Sequence, residues 1–282
     1  LIGHVVRNMT RSILLSLTRG HLASYPGKGI TKKYYRKLAW SSATFAFFAD
    51  LAMGSYGGAL KMKEKIAGRF ADIFSMLYLA TATLRRYEEE GMTSEDRPFF
   101  EYSMDHAFSV MQQSFESILR EIKVPGLTWL FRGPVALWAR MNSVGNAPRD
   151  KVTHKVAQAM QTYGAHREHL TKGIFVPDDK EEALGRYENA FRLIVTAQPA
   201  LKKLRDAVKK RELPRKAPQL LVDEALEKGI LDKREAKQIR EAEEARFDAI
   251  QVDDFTLEEY KKQTPSAPLG KPHAPEKPLE MA

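Results

Sequence analysis

The sequence predicts an all-α protein: an antiparallel helical bundle, then shorter helices and a helical hairpin, then a disordered C-terminal tail. Three observations predict it. Apolar residues recur at the three- and four-residue spacing of a helix over several long runs. Few stretches alternate apolar and polar residues with the period of a strand. Glycine and proline gather at the joints between runs rather than inside them.

Residues 1–19 form the first helix. Ile2, Val5, Val6, Met9, Ile13, Leu14 and Leu17 share one face, and His4, Arg7 and Arg11 lie opposite. The chain opens inside this helix without an N-cap, so it is expected to be the back end of a longer protein. The apolar face needs a cover. Inward packing is one; the other is a lipid headgroup layer with Arg7, Arg11 and Arg19 beside it.

Residues 31–56 are the second helix, ended by Gly57-Gly58. The third runs from about 59 to 90. Ile66, Phe70, Ile73, Leu77, Ala80, Leu84 and Tyr87 give it a strict bundle seam. Ala67, Ala71, Phe74, Tyr78 and Ala82 add a second apolar side, so this helix should be central. Gly91 is its stop. Thr93 or Ser94 caps a fourth helix to about 123, lined by Phe100, Met104, Met111, Phe115 and Ile118. Short joints between long helices imply antiparallel neighbours. The expected domains are a bundle over 1–124, a smaller helical region over 125–260 and a Pro-rich tail over 261–282.

In the second region, residues 128–141 are apolar and broken by Gly133-Pro134. Shorter helices are expected near 150–162, 165–173 and 181–197, with Pro199, Pro214 and Pro218 punctuating the basic stretch beyond them. Gly229 then ends one arm of a hairpin. Asp232 caps the other, with Glu235 three residues on completing a capping box.

Composition narrows the functions. The chain has no cysteine, which removes disulfides and thiolate chemistry and fits a reducing compartment. The apolar run 43–53 is too short to span a bilayer, which needs about 20 residues. The net charge of +9 is uneven. Residues 202–216 hold eight basic and two acidic side chains, and residues 223–259 hold six and thirteen. The basic stretch contains no aromatic residue to stack on bases, so no nucleic-acid partner is expected. It reads as a solvated helix end facing an acidic neighbour, with an anionic membrane surface or acyl-CoA phosphate as the alternative.

Chemical candidates are weak. His166, Glu168 and His169 (HREH) are nearest to a metal site, but zinc-binding helical histidines sit four apart and these sit three apart. Adjacent Asp105 and His106 point in different directions along a helix, and His154 stands alone. Glu88-Glu89-Glu90 reads as a solvated helix end, and Asp253-Asp254 as a surface turn. Asp50 stands out, because it lies in the most apolar helix. It should be buried and paired with Arg69, Lys61 or a backbone amine, and loss of a fully buried pair would cost about 3–5 kcal/mol.

Four stretches together resemble one family: 38–53 (LAWSSATFAFFADLAM), 57–91 (GGALKMKEKIAGRFADIFSMLYLATATLRRYEEEG), 150–161 (DKVTHKVAQAMQ) and 229–255 (GILDKREAKQIREAEEARFDAIQVDDF). The chain resembles, over roughly residues 1–260, the C-terminal region of the large bacterial acyl-CoA dehydrogenases of fatty-acid β-oxidation. The resemblance implies a parent enzyme with FAD, in which a glutamate takes the α-proton of acyl-CoA and flavin N5 the β-hydride. It places that glutamate and most flavin contacts upstream, so no residue here is assigned a catalytic, cofactor-binding or metal role. Implied partners are the upstream dehydrogenase core and acyl-CoA, with peripheral membrane contact and a homodimer as further possibilities. The expected location is the cytoplasm, with inner-membrane association open.

Overall fold

A computed structural model describes residues 2–179 and 182–251, apart from the side chains of Ala165 and His166. Among these residues every regular element is a helix, as the spacing predicts. The chain divides into two compact units, Leu1–Lys172 and Gly173–Ala282. The Pro-rich tail and Asp253-Asp254 lie outside the described residues.

The first unit is built on four long helices: α1 (Ile2–Leu17), α2 (Thr31–Tyr56), α3 (Glu64–Glu89) and α4 (Arg97–Glu121). Gly57, at φ +52°, turns the chain into a short 3₁₀ segment, so α3 starts later than its apolar pattern suggests. Gly91, at φ +87°, ends α3 as expected. Met92 N–H then bonds Tyr87 O at 2.9 Å and Gly91 N–H bonds Glu88 O at 3.2 Å, which satisfies two free carbonyls. The N-cap position of α4 is Asp96 rather than Thr93 or Ser94. Thr93 instead shapes the preceding turn: its hydroxyl donates to Asp96 Oδ2 at 2.7 Å.

The seam of α3 meets the inner face of α4. Ile73, Leu84, Met104, Met111 and Ile118 are wholly buried, and Tyr87 stacks on Phe100 at 4.1 Å between centroids. Each such side chain removed from water contributes about 1.5–3 kcal/mol. The central helix is α4, however, and not α3. The second apolar side of α3 faces out, with Phe74 61% and Tyr78 69% exposed. The reason is the position of α1, which packs against α2 and leaves α3 uncovered on that side.

Residues 128–141 do not break at Gly133-Pro134. A π-helical turn, Phe131–Val135, joins α5 (Thr128–Leu130) to α6 (Ala136–Met141). Its wider turn accommodates the proline that an α-helical ladder would exclude. Phe131, Ala136 and Val144 enter the same core as α2 and α4, so residues beyond 124 belong to this unit. α7 (Asp150–Met160) and α8 (Ala165–Leu170) come next.

In the second unit α9 (Ala183–Lys209) runs straight through Pro199. Packing overrides the local penalty here. Ala197, Ala200, Leu204 and Ala207 are buried in one cluster with Ile239 and Ala242 of α11 (Lys233–Ala249). The predicted hairpin forms between α10 (Val222–Glu227) and α11. Its capping box is present: Glu235 N–H donates to Asp232 Oδ1 at 2.8 Å, and Asp232 N–H to Glu235 Oε2 at 3.2 Å.

Candidate functional site

Helix α1 and the α2 segment opposite it run antiparallel, with Asn8 against Asp50 and Gly20 against Arg36. A Cβ at Gly20 would meet Arg36 O at 2.5 Å, so this joint requires glycine. α1 turns Ser12 and Leu15 inward. It leaves Ile2, Val6, Met9, Ile13, Leu14 and Leu17 exposed, Ile2 by 82%. The apolar face that should be covered is therefore uncovered within this unit.

An apolar groove of about 460 Å³ opens beside that face. Met9, Ile13 and Leu17 of α1 form one wall. Trp40, Phe47 and Phe48 of α2 lie across from them, with Leu127, Phe131 and Trp138 closing the far side. One end is polar. Trp138 Nε1 donates to Ser16 Oγ at 2.9 Å, Asn142 Nδ2 donates to Ser16 O at 2.7 Å, and Arg19 Nε donates to Asn142 Oδ1 at 2.7 Å. Ser41, 1% exposed, also lines the groove, and its Oγ has no hydrogen-bond partner. None of this was visible in the sequence, because four separate segments supply the walls.

The structure places the sequence candidates elsewhere. Asp50 is nearly buried, its side chain 10% exposed, but neither Arg69 nor Lys61 reaches it. Asn8 Nδ2 donates to its Oδ2 at 2.7 Å, and His4 Nε2 lies 3.8 Å away. Both partners come from α1, which packs on this face of α2. Glu88 is not a solvated helix end. It accepts from Thr31 Oγ1 at 2.7 Å and Tyr35 O–H at 2.6 Å, locking the start of α2 to the end of α3. Glu89 pairs with Arg85, and Glu90 with Arg86.

His169 meets the acidic stretch that the sequence left unconnected to it. Its Nε2 lies 3.5 Å from Glu90, and its Nδ1 3.6 Å from Asp96. These three could hold a cation. The two ring nitrogens face different carboxylates, Nε2 towards Glu90 and Nδ1 towards Asp96. Glu168 is exposed, and the His166 side chain lies outside the described residues. His154 is exposed on α7. Asp105 and His106 diverge. His106 stacks on Tyr102, whereas burial raises the Asp105 carboxyl above its ordinary value against the pull of Lys37 and Lys33.

Arg205, Lys209, Arg215 and Lys216 of the basic stretch rim a second hollow of about 650 Å³ in the second unit, floored by Leu201, Leu204 and Val208. The stretch faces an acidic neighbour at Lys203, which bonds Glu235 of α11 at 2.6 Å. The lining of the apolar groove holds no Lys, Arg or His to balance the pyrophosphate of FAD, so the flavin does not fit there.

No solved structure matches the chain. The family model described as acyl-CoA dehydrogenase, C-terminal, bacterial type, matches residues 1–255. That match covers all of the described helices, so the chain belongs to the bacterial-type acyl-CoA dehydrogenase C-terminal family.

Proposed function

We propose that this chain is the helical domain of a flavin-dependent enzyme that forms trans-2-enoyl-CoA from medium- and long-chain acyl-CoA in fatty-acid β-oxidation. In this reading the domain supports the dehydrogenase core and leaves the chemistry and the FAD to it. The observation that carries the proposal is the outer face of α1. Exposed apolar side chains that line one helix mark an interaction surface rather than solvent surface. The dehydrogenase core is the partner that the family implies.

The test compares this chain with its parent enzyme. With added FAD and a long-chain acyl-CoA, the chain alone gives no flavin bleaching and the parent does. Bleaching by the chain alone would refute the division of labour. A second reading places the α1 face in the headgroup layer of a membrane, and exposed Arg7 and Arg11 favour it. No helix of the described residues is long and apolar enough to cross a membrane. Flotation of the parent with anionic vesicles at low and high salt, with and without Arg7→Glu and Arg11→Glu, separates the two. Binding lost with salt or with these substitutions supports the membrane reading.

A further inference from the structure

We infer that Glu90, Asp96 and His169 form a site for one zinc-type divalent ion, which ties α8 to the turn between α3 and α4. The inference is independent of the dehydrogenase role. All three residues belong to the first unit. One ligand atom from each lies within 4.8 Å of the others. The ring contacts, 3.5 Å to Glu90 and 3.6 Å to Asp96, are too long for hydrogen bonds between charged groups, which close to about 2.7–2.9 Å. They match the roughly 3.3–3.6 Å between two ligands of a tetrahedral ion with bonds of about 2.0–2.2 Å. Seating the ion takes a turn of the His169 ring, whose side chain is 39% exposed, so that one nitrogen points between the two carboxylates.

Asp96 points independently to a ligand. It stands at the N-cap of α4, where an aspartate ordinarily accepts from a backbone N–H of the first turn, and it makes no such bond. Its carboxylate is turned towards His169 instead, in a residue only 8% exposed. Oδ2 accepts from the Thr93 hydroxyl at 2.7 Å, whereas Oδ1 is buried without a partner. A bare buried carboxylate oxygen is costly, and a cation is the partner that two carboxylates and an imidazole share. Glu90 is braced as Asp96 is: Arg86 Nε donates to its Oε1 at 2.8 Å. Thr93 and Arg86 thus orient the two carboxylates from behind, as the outer partners of metal ligands do. One imidazole with two carboxylates suits Zn²⁺, whereas Mg²⁺ and Ca²⁺ take more oxygen ligands. Glu90 and His169 are partly exposed, so the ion enters from solvent and water fills its fourth position.

The experiment titrates the untagged chain with Zn²⁺ in competition with a fluorescent zinc chelator, and records thermal melts with and without the ion. One ion should bind per chain. His169→Ala, Asp96→Asn and Glu90→Gln should each weaken it about a hundredfold, the upper end of what loss of an outer partner alone costs. Zn²⁺ should raise the melting temperature of the unaltered chain and not that of His169→Ala. Circular dichroism checks that each variant is helical. His169→Ala and Glu90→Gln, at partly exposed side chains, carry the test if Asp96→Asn does not fold. His154→Ala, exposed on α7, should bind as the unaltered chain does. Excess Mg²⁺ should not displace the ion. Absence of binding would overturn the proposal, as would binding that ignores the three substitutions or is lost in His154→Ala. Displacement by Mg²⁺ would overturn it too.

Discussion

At the scale of single residues, Asp50 shows how a partner decides an energy. A carboxylate in the most apolar helix calls for compensation, and α1 supplies it through Asn8 and His4. The nearest donor is neutral and His4 is half exposed, so Asp50→Leu strands no buried charge. Equilibrium unfolding should show a loss of about 0.5–1.5 kcal/mol, the size of one hydrogen bond, rather than the 3–5 kcal/mol of a broken buried pair. Tyr34 titrates with a clear sign. Burial above all, then the charges of Asp105 and Glu101, pushes its phenol well above the ordinary value. The unfolded state therefore ionises first as pH rises past about 10. The contribution is full below that pH and is lost above it, by at most about 1.4 kcal/mol per pH unit. Melting curves from pH 9 to 11 should fall less steeply for Tyr34→Phe. The placement of Glu88 was illegible in the sequence for a related reason: its partners, Thr31 and Tyr35, lie more than fifty residues away.

At the scale of elements, local signals held where the cause was local. Gly91 and the Asp232–Glu235 box act within a few residues of themselves, and both appear where their spacing puts them. Asp232→Ala should therefore destabilise the second unit by about 0.5–2 kcal/mol. Hydrogen exchange should show the loss in α11 while α2 to α4 keep their protection. Local signals failed where packing intervened. Pro199 reads as a stop, yet the alanine face of α9 against α11 carries the helix through it. The seam of α3 was legible from its period. Which of its two apolar sides would be covered was not, because that depends on where α1 docks.

At the scale of the whole molecule, the helical class, the bundle and the hairpin come from pattern alone, and the groove does not. It arises only when α1, α2, α4 and the π-helical segment meet. Under the proposed function the outer face of α1 has a partner, the dehydrogenase core, that the geometry alone does not name. Because this chain has no cysteine, that face can be read directly. Ile13→Cys marks the apolar side of α1, and Arg11→Cys marks the exposed polar side as a control. Both are treated with a thiol reagent in the chain and in the parent enzyme, and the labelled peptide is quantified by mass spectrometry. If the dehydrogenase core covers α1, Ile13→Cys reacts freely in the chain and is strongly protected in the parent, while Arg11→Cys reacts alike in both. Equal labelling of Ile13→Cys in chain and parent would contradict the account.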